Sequence, residues 1–137
     1  MPRSRAVLVI TTSEATAGDL AESVGVVPDD MWEKGVSRGS HPRHGEHQRA
    51  GIEYASQCER SMSPDAHLED LAGRVTSVLG RLAGMPNTGL ELRCWIYYES
   101  DEPAAGFDLS PQFLDPFVSA GCWLGVNVDH VEDAAEA

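Results

Sequence analysis

The chain has 137 residues, of which 42% are hydrophobic and 23% are charged, and this length and composition are typical of one globular domain with its own core. Its formal net charge of −12, from 10 basic and 22 acidic residues, argues against duplex nucleic acid as a partner and favours a basic partner. No apolar run approaches the roughly 18 residues that a membrane-spanning helix requires, so we expect no membrane span.

The three cysteines, Cys58, Cys94 and Cys122, are odd in number, far apart in the chain and outside any metal-ligand spacing. We interpret them as reduced thiols, with Cys94 and Cys122 as small buried side chains, and expect a cytoplasmic protein. The apolar run at residues 6–10 is shorter than that of a secretory signal peptide. We therefore interpret it as part of a strand.

The first half of the chain predicts a strand, a short helix, a long polar loop and a second strand. Residues 5–12 are almost continuously apolar, as in a buried strand, and residues 16–24 have the spacing of a short amphipathic helix. Residues 35–51 are mostly Gly, Ser, His, Arg, Pro and Glu, and so long a polar stretch marks a mobile or functional loop. Residues 52–57 alternate in polarity and predict the second strand.

The clearest periodic signal lies at residues 63–84 and predicts a long amphipathic helix. Ser63 is suited to the N-cap, Pro64 to the first helical position and Gly84 to the end of the helix. We expect the apolar stripe to pack on a sheet, because its opposite side is polar. The stripe consists of Leu68, Leu71, Ala72, Val75, Val78, Leu79 and Leu82.

The second half of the chain predicts two more strands and a third helix. Residues 90–98 alternate strictly, with an apolar face and a mixed face that carries Trp95 and Tyr97. Residues 106–109 are consistent with a short edge strand, and residues 110–121 with a helix that Pro116 keeps short or kinked. The last strand is predicted at residues 122–129.

This order of elements indicates an α+β fold, a two-layer sandwich in which helices cover one face of a mixed or mostly antiparallel sheet. A ferredoxin-like variant is the arrangement that we expect, because strand-helix-strand units open and close the chain. We predict a single domain over residues 1–130, an acidic flexible tail at residues 131–137, and a monomer or homodimer.

Two short motifs carry a resemblance to a known family. The residues GVVP at 25–28 and WEKG at 32–35 resemble the opening of the bacterial and phage family DUF4279, a domain of unknown function. The resemblance continues through the long helix, the strand at 92–98, the segment 109–121 and the strand at 124–128, or roughly residues 6–128. It implies the fold of that family and a small cytosolic protein, with no agreed chemistry.

A histidine-rich segment in the polar loop is the sharpest candidate for a metal site. His41, His44 and His47 recur every third residue, and together with Glu46 they are suitable zinc or nickel ligands. Against this, no helix fixes the spacing, and the arginines nearby repel a cation. The alternative is an ordinary loop without metal.

Aromatic and basic residues outline a second candidate, a ligand-binding site. In extended geometry Trp32 and Lys34 project to the same side, where they could frame an anionic or flat ligand. The alternative that we favour is that Trp32 anchors the loop at the edge of the core and Lys34 faces solvent. Trp95 and Tyr97 either pack under a loop or line a groove. The candidate ligand-binding residues are Trp32, Lys34, Arg38, Trp95 and Tyr97.

The sequence contains no phosphate-binding glycine loop, nucleophile elbow or paired-carboxylate motif that spacing can support. We therefore expect a non-enzymatic binding module without a cofactor, an immunity-type or phage accessory protein that binds a basic partner. The alternative is a metal-dependent or small-anion-dependent enzyme that uses the His and Arg loop.

Overall fold

The computed structural model describes residues 2–36, 45–82, 85, 87–99 and 107–131. Within these residues the chain forms five strands and three helices. They are β1 (Arg3–Thr12), α1 (Ala17–Val24), β2 (Asp30–Trp32), β3 (Ala50–Ala55), α2 (Pro64–Leu82), β4 (Thr88–Glu99), α3 (Pro111–Ser119) and β5 (Trp123–Val131). No helix in the described ranges combines the length and the apolar content needed to cross a membrane.

The strands form one mixed sheet in the order β2-β3-β1-β4-β5. The central strand β1 is antiparallel to both β3 and β4, β2 is antiparallel to β3, and β4 and β5 run parallel. A parallel pair needs a crossover, which α3 provides between β4 and β5. The predicted α+β class is confirmed, and the ferredoxin-like variant stays a prediction.

The long helix α2 packs its apolar stripe against the sheet. Ser63 Oγ accepts a hydrogen bond from the backbone N–H of Ala66 at 3.2 Å, as expected of an N-cap. The stripe meets the even-numbered side chains of β1 and β4, of which Leu8 and Leu92 are at most 1% exposed. Six residues of the predicted stripe are at most 3% exposed: Leu68, Leu71, Val75, Val78, Leu79 and Leu82.

The third helix extends the helical layer sideways. It packs mainly against α2, with Phe117 buried between them and Val118 65% exposed. Pro116 lies inside this nine-residue helix, which is short, as predicted. Because α3 packs against α2 and not over β5, the helical layer ends before the edge of the sheet.

Cys94 is buried, in agreement with its interpretation as a small apolar side chain, whereas Cys122 is half-buried against the core. Burial raises the pKa of Cys94 to about 11 and that of Cys122 to about 11. Both thiols are therefore protonated at neutral pH and poorly nucleophilic.

Three details of the predicted secondary structure were wrong. The strand β2 was not predicted, and β3 begins at Ala50, before the predicted start. The predicted edge strand at 106–109 is irregular from Phe107 onward, and Gly106 lies outside the described residues. The backbone N–H of Ser110 instead donates to the Asp65 carboxylate at 2.8 Å, which ties this segment to the first turn of α2.

A charged clamp joins α2 to the end of β3. The Arg74 guanidinium pairs with Asp29 and also donates to the backbone carbonyl of Ala55. Asp29 accepts a second hydrogen bond from the backbone N–H of Ala55 at 2.7 Å. Burial alone would raise the pKa of Asp29, but the hydrogen bonds from Arg74 and Ala55 outweigh it and lower that pKa below its ordinary value.

We expect Val75→Asp to unfold the domain, because Val75 is fully buried in the contact between α2 and the sheet. A buried unpaired carboxylate should lower the free energy of unfolding by at least about 4 kcal/mol. Thermal melting followed by circular dichroism measures the effect. Ser77→Asp, on the exposed side of α2, should change stability by no more than about 0.5 kcal/mol, and equal losses in both variants would contradict the packing.

We expect Asp29→Asn to reduce the acid sensitivity of the fold. A carboxyl group whose pKa is lowered by folding contributes stability above its unfolded pKa, and that contribution is lost as the pH falls through the folded value. Urea unfolding between about pH 6 and about pH 3 should therefore give a shallower decline for the variant than for the wild type. Identical declines in the two proteins would rule out a contribution from the clamp.

Candidate functional site

The face of the sheet opposite the helices carries the odd-numbered side chains of β1 and β4. The three tryptophans of the chain, Trp32, Trp95 and Trp123, all lie on this side. Large aromatic side chains on an uncovered sheet face are typical of a binding surface. We call this side the open face.

At one end of the open face, two adjoining cavities form a trough across the strands. Their volumes are about 350 Å³ and about 360 Å³, and they share Val9, Thr11 and Glu91. Trp32 lines one of them and Trp123 lines the other. Four strand spacings separate β2 from β5, so the trough runs for about 19 Å. The other lining residues are Glu46, His47, Gln48, Arg49 and Arg93 on the Trp32 side, and Gly89, Leu90 and Leu124 on the Trp123 side.

Glycines on both sides of Thr11 shape the floor of the trough. Gly51 of β3 and Gly89 of β4 are the register partners of Thr11. A Cβ atom on Gly51 would lie 2.3 Å from Cζ2 of Trp32, and one on Gly89 would lie 2.9 Å from Oγ1 of Thr11. The absence of a side chain at Gly51 therefore allows the indole to lie directly on the strand.

Trp32 forms a fixed wall of the trough. Its indole Nε1–H donates to the backbone carbonyl of Arg49 at 3.1 Å. Its ring stacks on His47, with 5.0 Å between the ring centroids and 21° between the planes. Because the indole is held by a hydrogen bond, a stacked ring and the backbone of β3, it is ordered before any ligand arrives.

The two described arms of the polar loop are held together beside the trough. The backbone N–H of Gly35 donates to the carbonyl of His47, and the N–H of His47 donates to the carbonyl of Val36, both at 2.9 Å. Arg49 Nη2 donates to the carbonyl of Asn87 at 2.7 Å, which joins the returning arm to the turn before β4.

The predicted metal site is only partly described. His41 and His44 lie outside the described residues, and the ring of His47 is stacked on Trp32. Arg38, a residue of the predicted ligand-binding site, also lies outside the described residues. Lys34 is exposed in the turn that follows β2. Within the described ranges, no three His, Cys, Asp or Glu side chains lie close enough together to hold a metal ion.

The other predicted ligand-binding residues lie at the far end of the open face. Trp95 is opposite Arg5 in the register and Tyr97 is opposite Arg3. The guanidinium of Arg5 lies 6.0 Å from the centroid of the Trp95 ring. Arg5 and Thr11 are six residues apart on β1, a distance of about 20 Å. The structure therefore separates Trp95 and Tyr97 from the trough that Trp32 lines.

Charged side chains cover the middle of the open face. Val7 is fully buried although none of the three described helices lies on this side, and its register partners are Ala55 and Arg93. Arg5 pairs with Glu53 at 3.5 Å. Burial raises the pKa of Glu53 above its ordinary value, against the opposing influence of Arg5. Charged side chains thus cover the apolar residues in the middle of the open face. A ligand could reach apolar side chains of this face at the trough.

Of the residues that line the trough, the sequence indicated only Trp32, Glu46 and His47 as candidates, and the most important ones that it did not indicate are Trp123 and Arg93. Arg93 pairs with Glu91 at 2.8 Å, so the trough has a polar wall as well as aromatic ones. The alternation in the last strand separated Trp123 from Leu124, a signal that could have identified an exposed indole. Placing Trp123 beside Glu91 required the parallel register of β4 and β5.

Comparison with known proteins assigns the chain to a family but finds no similar individual protein. The sequence model of DUF4279, described as a domain of unknown function, matches residues 2–129. No curated protein matches the chain, and no solved structure does. The match covers most of the chain, including every strand and helix up to the last residues of β5.

We expect Gly51→Ala to displace Trp32 from the wall of the trough. The added methyl group would overlap the indole, at a cost of about 1–3 kcal/mol, and the hydrogen bond to Arg49 would be lost. The indole Nε1–H signal of Trp32, identified by its absence in Trp32→Phe, should shift and exchange faster with solvent.

Gly73→Ala is the matched control, because a Cβ atom there meets nothing within 4 Å on the exposed side of α2. It should leave the Trp32 signal in place and stabilise the helix by up to about 1 kcal/mol. An unchanged Trp32 signal in Gly51→Ala would contradict the packing of the indole on β3.

Proposed function

The chain belongs to the DUF4279 family, which has no assigned activity, and we propose that it is a non-enzymatic binding module that takes a basic protein partner on its open face. The observation that carries this proposal is Trp123, an indole that is 80% exposed at one wall of the trough. We further propose a cytoplasmic protein of the immunity or phage accessory type.

Trp123 has the properties of an anchor for a protein partner. A tryptophan buries on the order of 150–250 Å² when it is fully covered, and it is among the residues that most often dominate binding free energy at interfaces. In the isolated chain that apolar area faces water. A partner that covers the indole would gain the free energy of its burial.

The trough has the dimensions of a site for an extended segment of chain. A length of about 19 Å accommodates about six residues of extended peptide. Trp32 at one end is held rigidly, so little side-chain entropy is lost when a partner packs on it. The paired side chains of Glu91 and Arg93 lie between the two tryptophans and offer hydrogen bonds to a peptide backbone.

The charge of the chain supports a basic partner. The net charge is −12, although residues 34–49 hold four basic residues against one acidic residue. The acidic excess therefore lies elsewhere, including exposed residues on the helical side such as Glu22 and Glu69. A field of this sign attracts a basic protein and accelerates its association, whichever surface makes the final contact.

A second candidate function, a small-anion-dependent enzyme, has one observation in its favour. Arg49 lines the trough, and its Nε atom is buried without a hydrogen-bond partner among the described residues. A buried guanidinium N–H is suited to an oxyanion. Titration with inorganic phosphate, together with elemental analysis of protein purified without a histidine tag, separates this alternative from a protein-binding role.

We expect Trp123→Ser to abolish capture of the partner. Tagged wild-type protein should retain a basic protein from cells of its own source at about physiological ionic strength, and the variant should retain at least about tenfold less, because the loss of a central anchor costs 2 kcal/mol or more. Quantitative mass spectrometry of the retained proteins measures the ratio.

Val27→Ser is the matched control, because Val27 is 83% exposed and lies outside the trough. This variant should retain the same protein as the wild type. Recovery of the wild-type chain alone, or equal retention by Trp123→Ser, would overturn the proposal.

A further inference from the structure

Among the described residues, the last strand forms a long edge of the sheet that lacks the usual protection. Natural edge strands are shortened, charged or interrupted by proline, because their outward N–H and C=O groups are free to pair with another strand. The opposite edge, β2, has three residues and begins with Asp30. In contrast, β5 has nine residues and carries no charged side chain from Trp123 to Val128.

The helix-facing side chains of β5 are left uncovered. Leu124, Val126 and Val128 are 50%, 41% and 47% exposed. Their register partners on β4 are Leu92, Cys94 and Ile96, which are only 1–2% exposed. The helical layer thus covers β4 completely and stops one strand short of the edge.

We propose that β5 pairs with β5 of a second copy of this chain, antiparallel about a two-fold axis at Val126. In this register Val126 lies opposite the partner's Val126, and Leu124 lies opposite the partner's Val128. The three exposed apolar side chains of each copy then face those of the other. The two sheets join into one sheet of ten strands, with both helical layers on the same side.

The chemistry of the edge favours a second copy over a different partner. A two-fold contact requires that a surface complement itself, and an apolar row with a valine at its centre does so. Two chains of charge −12 repel each other, and this repulsion is reduced where they meet through a strand that carries no charged side chain from Trp123 to Val128. A basic partner would find no carboxylate between Trp123 and Val128.

The size of the contact predicts a dimer of moderate affinity. In this register seven residues of each copy, 123–129, pair over about 23 Å, and a contact of that length lies near the lower limit of roughly 1,000 Å² for a specific interface. We therefore expect dimerisation to depend on concentration in the micromolar range. The pairing is argued from the edge and the helix-facing side chains of β5, so it does not rest on the proposed binding of a protein to the open face.

Sedimentation equilibrium of the purified full chain tests the pairing. Between about 5 µM and about 200 µM at about 150 mM salt, the wild type should change from one to two times the mass of a single chain. V126K should stay monomeric over this range, because it places two ammonium groups opposite each other at the axis. V118K is the control and should dimerise as the wild type does, since Val118 is 65% exposed and lies on α3, outside the strand that pairs.

A charge-reversal experiment tests the register itself. V126E should also be monomeric, and an equimolar mixture of V126K and V126E should recover the dimer, because opposite charges then meet across the axis. Circular dichroism melting of each variant establishes that it is folded. A wild type that is monomeric at every concentration, a V126K protein that dimerises as strongly as the wild type, or a mixture that stays monomeric would each overturn the proposal.

Discussion

One contact organises this molecule, the packing of the apolar stripe of α2 on the helix-facing side of β1 and β4. It buries six leucines and valines of a single helix almost completely. The three helices in the described part of the chain form one layer on that side, and none of them covers the other side of the sheet. The open face and the uncovered edge strand are both consequences of this one-sided arrangement.

Periodicity was sufficient to predict the elements that make this contact. The stripe of α2 repeats for five turns and predicts a helix, and the alternation of β4 over its whole length predicts a strand. The three residues of β2 are too few for any period, and its place in the sheet depends on pairing with β3. The strand predicted at 106–109 was also wrong, since residues 107–109 are irregular, and the backbone N–H of Ser110, the next residue, donates to the Asp65 carboxylate of α2.

The candidate site was less predictable than the fold, because it depends on which strands are neighbours. The sequence places Trp32, Trp95 and Trp123 in three separate segments and does not indicate which two meet. The order β2-β3-β1-β4-β5 places Trp32 and Trp123 at the two ends of one trough, and the register of β1 and β4 places Trp95 about 20 Å away. Tertiary pairing of this kind leaves no local signal.

The two sides of β5 serve different kinds of contact, and this separation follows from the alternation of a strand. Trp123 and its odd-numbered neighbours belong to the open face, whereas Leu124, Val126 and Val128 belong to the helical side. A protein bound on the open face would therefore contact one side of β5, and the exposed apolar side chains that favour a second copy lie on its other side. In the proposed dimer, Asp129 of the partner subunit lies opposite Trp123. The second copy would then add a carboxylate to the wall of the trough. The affinity of the trough for a basic segment of a partner would rise.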